Sequence, residues 1–326
     1  MAKRSKIKLH RSFRRTRRRD ALQPLNLPGY IALTHFVNKT LWSNKRLFIP
    51  LVIIYAILYL VLIGIGSQET YTALSDAVKQ LNNSLLDGGL TSFSEAGAIF
   101  ISIANTGLGG TLTDVQQIYA FILIILSWLT TVWLLRGILA GQKLKLRDAL
   151  YQAGAPIVAT FVVVLVFLVQ LIPIALAAIG YSAASYSGLL DGGIEAMLFW
   201  VAAGLLAILS LFWVTSTLFA MIIVTLPGTY PFRALSIASD MVLGRRVKIL
   251  LRFVWMSLVT ILAWAVVLIP IILLNMWLTS FWPWFSSVPL IPAMMLILSS
   301  ATTVWIAAYV YTLYRKVVDE DAKHKK

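Results

Sequence analysis

Few side chains in this 326-residue chain have the type and spacing that chemistry needs. The three histidines, His10, His35 and His324, stand far apart. None belongs to a His-x-x-x-His or Glu-x-x-His pattern that would gather a metal on one helix face. The absence of cysteine excludes disulfide scaffolds, thiolate metal sites and cysteine nucleophiles. No Walker sequence is present. Gly107-Leu108-Gly109-Gly110-Thr111 is glycine-rich but falls on the outer side in the topology below, away from nucleotide, and reads as a loop. Asp87-Gly88-Gly89 and Asp191-Gly192-Gly193 offer the oxygen donors that Ca²⁺ takes. Asp and Gly are equally turn residues, and a turn is the reading adopted. Asp191 and Glu195 are the pair on which an enzyme acting on lipid headgroups would rest. The expectation is a chain with no catalytic residues, no metal and no cofactor.

A second polar set lies within the apolar stretches: Gln170, Asn275 and three hydroxyl clusters. The clusters are Ser127, Thr130 and Thr131; Ser210, Thr215, Ser216 and Thr217; and Ser299, Ser300, Thr302 and Thr303. Hydroxyls in membranes mostly bond across helices or to their own backbone, for about 0.6 kcal/mol on average. Packing is therefore the first reading. The sharper one has Thr130, Thr131, Thr215, Ser216, Thr302 and Thr303 lining a polar or lipid-headgroup cavity. Pro173 and Pro270 each remove a backbone hydrogen bond, which kinks a helix and frees a carbonyl.

The third set is basic. Lys3, Arg4, Lys6, Lys8, Arg11, Arg14, Arg15, Arg17, Arg18 and Arg19 put ten positive charges into 19 residues, opposed by Asp20 alone. Like charges repel, and so few apolar residues cannot collapse, so a disordered tail over residues 1–28 is expected. Anionic lipid would attract it by about 1 kcal/mol per basic residue near the surface. RNA would also bind through its phosphates. Phe13 is the tail's one aromatic, so base stacking has little to work with. The lipid reading is preferred, with Arg14, Arg15, Arg17, Arg18 and Arg19 as its contacts, joined by Lys143, Lys145, Arg245 and Arg246 from later basic stretches.

These residues must be positioned by elements that water does not favour. Apolar residues make up 59% of the chain and charged ones 13%, mean hydropathy is +0.83, and the net charge is +15. A soluble domain carries about 25% charged residues. Six apolar runs free of Asp, Glu, Lys and Arg occupy residues 47–66, 118–135, 155–178, 196–226, 253–278 and 291–314. A spanning helix needs about 20 such residues. The runs are continuous rather than alternating, so helices are expected instead of a β-barrel. The fourth run is too long for a bilayer, so the helix should tilt or one end should leave the hydrocarbon. The first follows a basic leader of 46 residues and is 20 long. Signal peptides have apolar regions of about 7–15, so it is expected to remain as an anchor.

Six spans put both ends on one side. Of the 28 Lys and Arg residues, all but Lys79 fall on that side, whereas seven of the 13 acids fall on the other. The positive-inside rule then makes both termini cytoplasmic, in a cell membrane. The outer loop around residues 277–285 carries Trp277, Phe281, Trp282, Trp284 and Phe285, suited to the headgroup level.

Local patterns recur in order. Val61-Leu62-Ile63-Gly64-Ile65 aligns with Gln170-Leu171-Ile172-Pro173-Ile174 and Val267-Leu268-Ile269-Pro270-Ile271, at offsets of 109 and 97. Ser127-Trp128-Leu129-Thr130-Thr131-Val132-Trp133 aligns with residues 212–218 and 299–305, at offsets of 85 and 87. Leu85-Leu86-Asp87-Gly88-Gly89-Leu90 matches residues 189–194. Together these suggest an internal threefold repeat: a basic segment, an outward helix, an outer turn and a return helix. Before each outward helix lies a stretch with amphipathic character: 29–44, 143–152 and 232–248. In the first, Tyr30, Ile31, Leu33, Phe36, Val37 and Leu41 share a side; in the last, Ala234, Leu235, Ile237, Ala238, Met241 and Val242 are the apolar set. Such helices lie flat at the headgroups or pack beneath the bundle. An amphipathic helix over residues 70–86 is also expected on the outer side.

Pro231-Phe232-Arg233-Ala234-Leu235-Ser236 followed by Leu243-Gly244-Arg245-Arg246 and an apolar helix resembles a pattern in prokaryotic six-helix membrane proteins. That group is similar to the membrane domain fused to some glycerophosphodiester phosphodiesterases. Gly141-Gln142-Lys143-Leu144-Lys145-Leu146-Arg147-Asp148-Ala149-Leu150 looks like a degenerate copy. The motifs cover about 20 residues, and the third stretch lacks the group's Lys-Gly step and aromatic. The resemblance implies a fold and a membrane location, and almost no chemistry.

The expected fold is thus all-α: a tail over 1–28, a six-helix membrane domain over 29–314 built of three hairpins with interfacial helices, and a charged tail over 315–326. The expected function is non-enzymatic, the organisation of lipid or membrane partners. The alternative is a permease or lipid transporter with a hydroxyl-lined cavity, and a headgroup enzyme ranks last.

Overall fold

The computed structural model describes residues 28–63, 113–187, 189, 192–282, 284 and 290–323. Among them there is no strand, and the helices are α1 (Tyr30–Ser43), α2 (Lys45–Leu62), α3 (Asp114–Leu139), α4 (Leu146–Ala153), α5 (Ile157–Tyr186), α6 (Ile194–Ile223), α7 (Pro231–Val242), α8 (Arg246–Phe281) and α9 (Leu290–Lys323). The six longer helices, α2, α3, α5, α6, α8 and α9, are long and apolar enough to cross a membrane, which is the composition of a multi-pass membrane protein. The basic tail, the stretch expected to be amphipathic at 70–86, the glycine-rich stretch at 107–111, Asp87 and Asp191 lie outside the described residues.

Two compact units divide the chain. One comprises Tyr30–Phe161 and Val254–Thr312; the other comprises Val162–Phe253 and Leu313–Lys326 with the stretch ending at Gly29. Helices α5, α8 and α9 contribute residues to both.

In the first unit, α3 begins with a capping box. The Thr113 backbone N–H donates to Gln116 Oε1 (2.9 Å), and the Gln116 N–H donates to Thr113 Oγ1 (3.4 Å). Two of the helix's orphan donors are thereby satisfied. Gln116 Nε2 also donates to the Ile63 carbonyl (2.7 Å), so the end of α2 lies beside the start of α3. From Leu123 to Gly137, α3 is largely enclosed. Short α4 packs back on α3: its Ala149 and Ala153 are buried one turn apart, and Gln152 accepts the Trp133 indole N–H (3.0 Å). The reversal between them places Gly141 at φ 73°, where a side chain would be strained.

The second unit repeats this manoeuvre. After α6 the chain reverses through Gly228 at φ 78°, and α7 buries Ala234, Ala238 and Val242. Side chains this small let two helix backbones approach closely. Pro231 occupies the first turn of α7, where a missing N–H costs nothing. The Phe212 carbonyl, eleven residues before the end of α6, accepts from Arg246 at the start of α8. Eleven residues of helix rise about 16 Å, and the 12 residues of α7 about 18 Å. The short helix therefore runs back along α6 by its own length.

Burial splits α6 into two parts. Leu198, Val201, Leu205, Ile208 and Phe212 form one exposed stripe, spaced as a helix face. From Thr215 to Ile223, side chains are mostly buried, with Phe219 edge-on to Phe253 and Tyr314 (5.9 Å each). Residues 194–213 span about 30 Å, the thickness of a hydrocarbon core. The part of α6 beyond that length is the part enclosed by protein. Helices α5 and α8 continue as helix through Pro173 and Pro270.

Candidate functional site

The hydroxyl clusters act first as fasteners between spans. Tyr55 on α2 and Thr130 on α3 share a buried hydrogen bond (2.9 Å), while Thr130 also donates to the Leu126 carbonyl (2.7 Å). Thr217 on α6 donates to Gln170 Oε1 on α5 (2.6 Å), and Ser210 donates to the Gln170 carbonyl. The Trp264 indole on α8 donates to Thr302 on α9 (2.8 Å), and Ser300 donates to the Val52 carbonyl (3.0 Å). The other candidates bond along their own helices: Thr131 to Ser127 O (2.7 Å), Thr215 to Leu211 O (2.6 Å), Ser216 to Trp213 O (2.9 Å) and Thr303 to Ser299 O (3.0 Å). Thr130, Thr131, Thr302 and Thr303 belong to the first unit, Thr215 and Ser216 to the second. Sequence reasoning named both sides of Gln170–Thr217 but only the hydroxyls of the other two pairs, and missed Tyr55 and Trp264. Their signal was an aromatic ring with a polar tip in an apolar helix, which seeks a partner when buried.

Short helices carry the second set. The Trp305 indole on α9 donates to Asn38 Oδ1 on α1 (2.8 Å), as Trp133 does to Gln152. Trp255 donates to Thr34 Oγ1 (3.1 Å) and stacks obliquely on Tyr30 (5.9 Å). Helix α1 buries Leu33 and Val37 only. Tyr30, Ile31 and Phe36, expected on the same apolar side, are not covered by protein. Trp42, Tyr151, Tyr230 and Phe232 are exposed as well, Tyr151 at 88%. Lys45 stands over Trp42 (5.7 Å). Arg147, Asp148, Tyr151 and Gln152 border a shallow depression on α4.

Among the basic candidates, Lys143 and Lys145 are exposed beside α4. Arg245 is buried, at 8% exposure, and Arg246 is half-buried. Arg246 Nη1 donates to the Phe212 carbonyl (2.6 Å) and Nη2 to Ser239 Oγ (3.2 Å), and the guanidinium carbon lies 3.7 Å from the Phe212 ring centre. Arg252, not among the sequence candidates, is buried and donates to the Lys248 and Pro28 carbonyls (3.1 and 2.9 Å). Arg14, Arg15, Arg17, Arg18 and Arg19 lie outside the described residues.

Glu195 is exposed in the first turn of α6, after Gly192 and Gly193 at φ 137° and 92°. Trp277, Phe281, Trp282 and Trp284 are exposed, with Trp277 edge-on to Phe281 (4.9 Å). Among the described residues no group of three His, Cys, Asp or Glu could hold a metal. His35 is exposed on α1. No family model, no curated protein and no solved structure matches the chain.

Proposed function

We propose that this chain is a non-enzymatic, multi-pass protein of the cell membrane that organises anionic lipid, or partners bound to it, on the cytoplasmic face. Both termini lie on that face, and the tail over 1–28 contacts anionic lipid through Arg14, Arg15, Arg17, Arg18 and Arg19. The observation that carries this reading is the build of the short helices. Each buries a narrow stripe (Leu33 and Val37; Ala149 and Ala153; Ala234, Ala238 and Val242). Each carries exposed aromatics nearby, among basic residues: Trp42 with Lys45, Tyr151 with Arg147, Phe232 with Arg233. Aromatic rings and cations together suit a headgroup layer of negative charge. The hydroxyls that a permeation path would offer to a substrate are engaged in bonds between and along helices, which favours a packing role for them over the permease reading.

The spans are proposed to form three hairpins, α2 with α3, α5 with α6 and α8 with α9, as threefold copies of one unit. Support comes from the fasteners, one in each pair: Tyr55–Thr130, Gln170–Thr217 and Trp264–Thr302. The likeness to prokaryotic six-helix membrane proteins is kept as an expectation about layout alone.

The test uses the full chain in nanodiscs and follows tryptic cleavage at Arg14–Arg19. In discs containing anionic lipid, cleavage should slow severalfold relative to zwitterionic discs, and high salt should restore it, since the attraction is screened within about a Debye length. Equal rates in both discs would end the tail–lipid reading.

A further inference from the structure

We propose that Arg246 anchors the phosphate of one anionic glycerophospholipid at the corner where α6, α7 and α8 meet. The proposal rests on the orientation given above and adds a defined site to it.

A guanidinium has five N–H donors and no acceptor. In Arg246, one donor of Nη1 is taken by the Phe212 carbonyl and one of Nη2 by Ser239 Oγ, while Nε is enclosed without a partner. One N–H on each terminal nitrogen is left to donate to a phosphate. Both protein acceptors are neutral. Among the described residues no carboxylate lies within ion-pair distance of this guanidinium. A half-buried cation held only by a carbonyl, a hydroxyl and a ring is poorly compensated, and polar groups at membrane depth carry a penalty unless countered.

The surroundings say what the counter-charge is attached to. Phe212 is 49% exposed and closes the lower end of the α6 stripe, and Val247 is 70% exposed. Leu243 and Leu251 are exposed too. An acyl chain thus has an apolar surface beside the cation, which free phosphate would leave uncovered. Residues 194–213 of α6 account for a hydrocarbon thickness, so Phe212 and Arg246 fall at its boundary, the depth of a lipid phosphate. Arg245, Arg246, Lys248 and Arg252 lie within eight residues at the start of α8, whose dipole adds positive potential, with Asp240 the acid nearest in sequence. That excess favours a headgroup of net negative charge over a zwitterion, whose ammonium would be repelled.

Native mass spectrometry of the full chain in detergent, titrated with phosphatidylglycerol or phosphatidylcholine of matched chains, tests this. The wild-type protein should retain one phosphatidylglycerol with about tenfold preference, the scale of one charged hydrogen-bonding contact. R246Q should lose that preference. R246K, which keeps the charge without the planar guanidinium, should weaken retention severalfold, so the inference stays testable if R246Q fails to fold. Replacing Arg14, Arg15, Arg17, Arg18 and Arg19 by Gln should leave the retained lipid in place while abolishing tail protection in nanodiscs, which separates failure here from failure of the tail reading. Unchanged retention in R246Q, equal retention of both lipids, or displacement by millimolar inorganic phosphate would overturn the proposal.

Discussion

The Tyr55–Thr130 contact makes a quantitative prediction, because its two ends are not equivalent. Thr130 has two contacts, the Tyr55 hydroxyl and the Leu126 carbonyl. Both residues are buried, at 2% and 0% exposure. In Y55F, Thr130 keeps its bond to Leu126, so only the interhelical contact is lost; side-chain bonds across membrane helices average about 0.6 kcal/mol, with a maximum of about 1.7. In T130V the shape is kept, but the Tyr55 hydroxyl is left among apolar neighbours. An unsatisfied buried polar group costs about 1–3 kcal/mol, so T130V should be the more damaging variant. Y55F/T130V removes both polar groups and should cost less than the sum, with a coupling of about 0.6–1.7 kcal/mol. The assay is reversible unfolding in bicelles, read for wild type, both single variants and the double. Additive costs would refute the fastening role, and Y55F costing more than T130V would refute the reasoning about stranded hydroxyls.

Other outcomes can be checked on the same protein. Gly228→Ala forces a side chain into φ 78° and should destabilise by about 1–2 kcal/mol, whereas Gly204→Ala, in a helix with open space around it, should be neutral or stabilising in the same unfolding measurement. Ala238→Leu overpacks the α6–α7 contact, where Ala238 is fully buried, and should cost about 1–3 kcal/mol; an unchanged midpoint would mean that α7 does not rest on α6. The chain contains no cysteine, so single introduced thiols report sidedness directly. In sealed cells S187C should react with a membrane-impermeant maleimide and K143C only after permeabilisation; the reverse pattern would invert the proposed topology.

The spans were legible because a hydrocarbon solvent imposes one crude demand, a charge-free run of sufficient length. Residues 118–135 expand to Asp114–Leu139, and residues 253–278 to Arg246–Phe281. The extra turns are polar or basic ends that hydropathy alone trims away. The fasteners were only half legible. A threonine in an apolar helix announces a need for a partner, but the partner is set by register between helices: Thr130 meets Tyr55 from 75 residues away, and Thr302 meets Trp264 from 38. Only part of the apolar side of α1 meets protein, for a related reason. Periodicity gives a face, but contact uses only the stripe that reaches a neighbour, here Leu33 and Val37. Arg246 was singled out for its charge, while its partners, Phe212 and Ser239, carried no charge pattern to find.

The offset of 85 residues that aligns Thr130 with Thr215 also carries Ala149 onto Ala234 and Ala153 onto Ala238, and these are the residues by which α4 and α7 rest on the preceding spans. Nothing in a bilayer requires a short helix to fold back on the span before it, and two such devices at one offset are what the proposed repeat would produce. The third copy tests this further. A threefold unit predicts that α9, the last span, should also receive a short helix near Trp305, the residue aligned with Trp133. No short helix follows α9 in the described chain. Its place is taken by α1, from the chain's other end, and the contact has the same chemistry: an indole N–H donating to a side-chain amide oxygen, Asn38 for Trp305 and Gln152 for Trp133. The short helix of each proposed copy thus serves the span that precedes it in cyclic order. On the proposed repeat, moving α1 to follow α9 would give the third copy the order seen at α3–α4 and α6–α7.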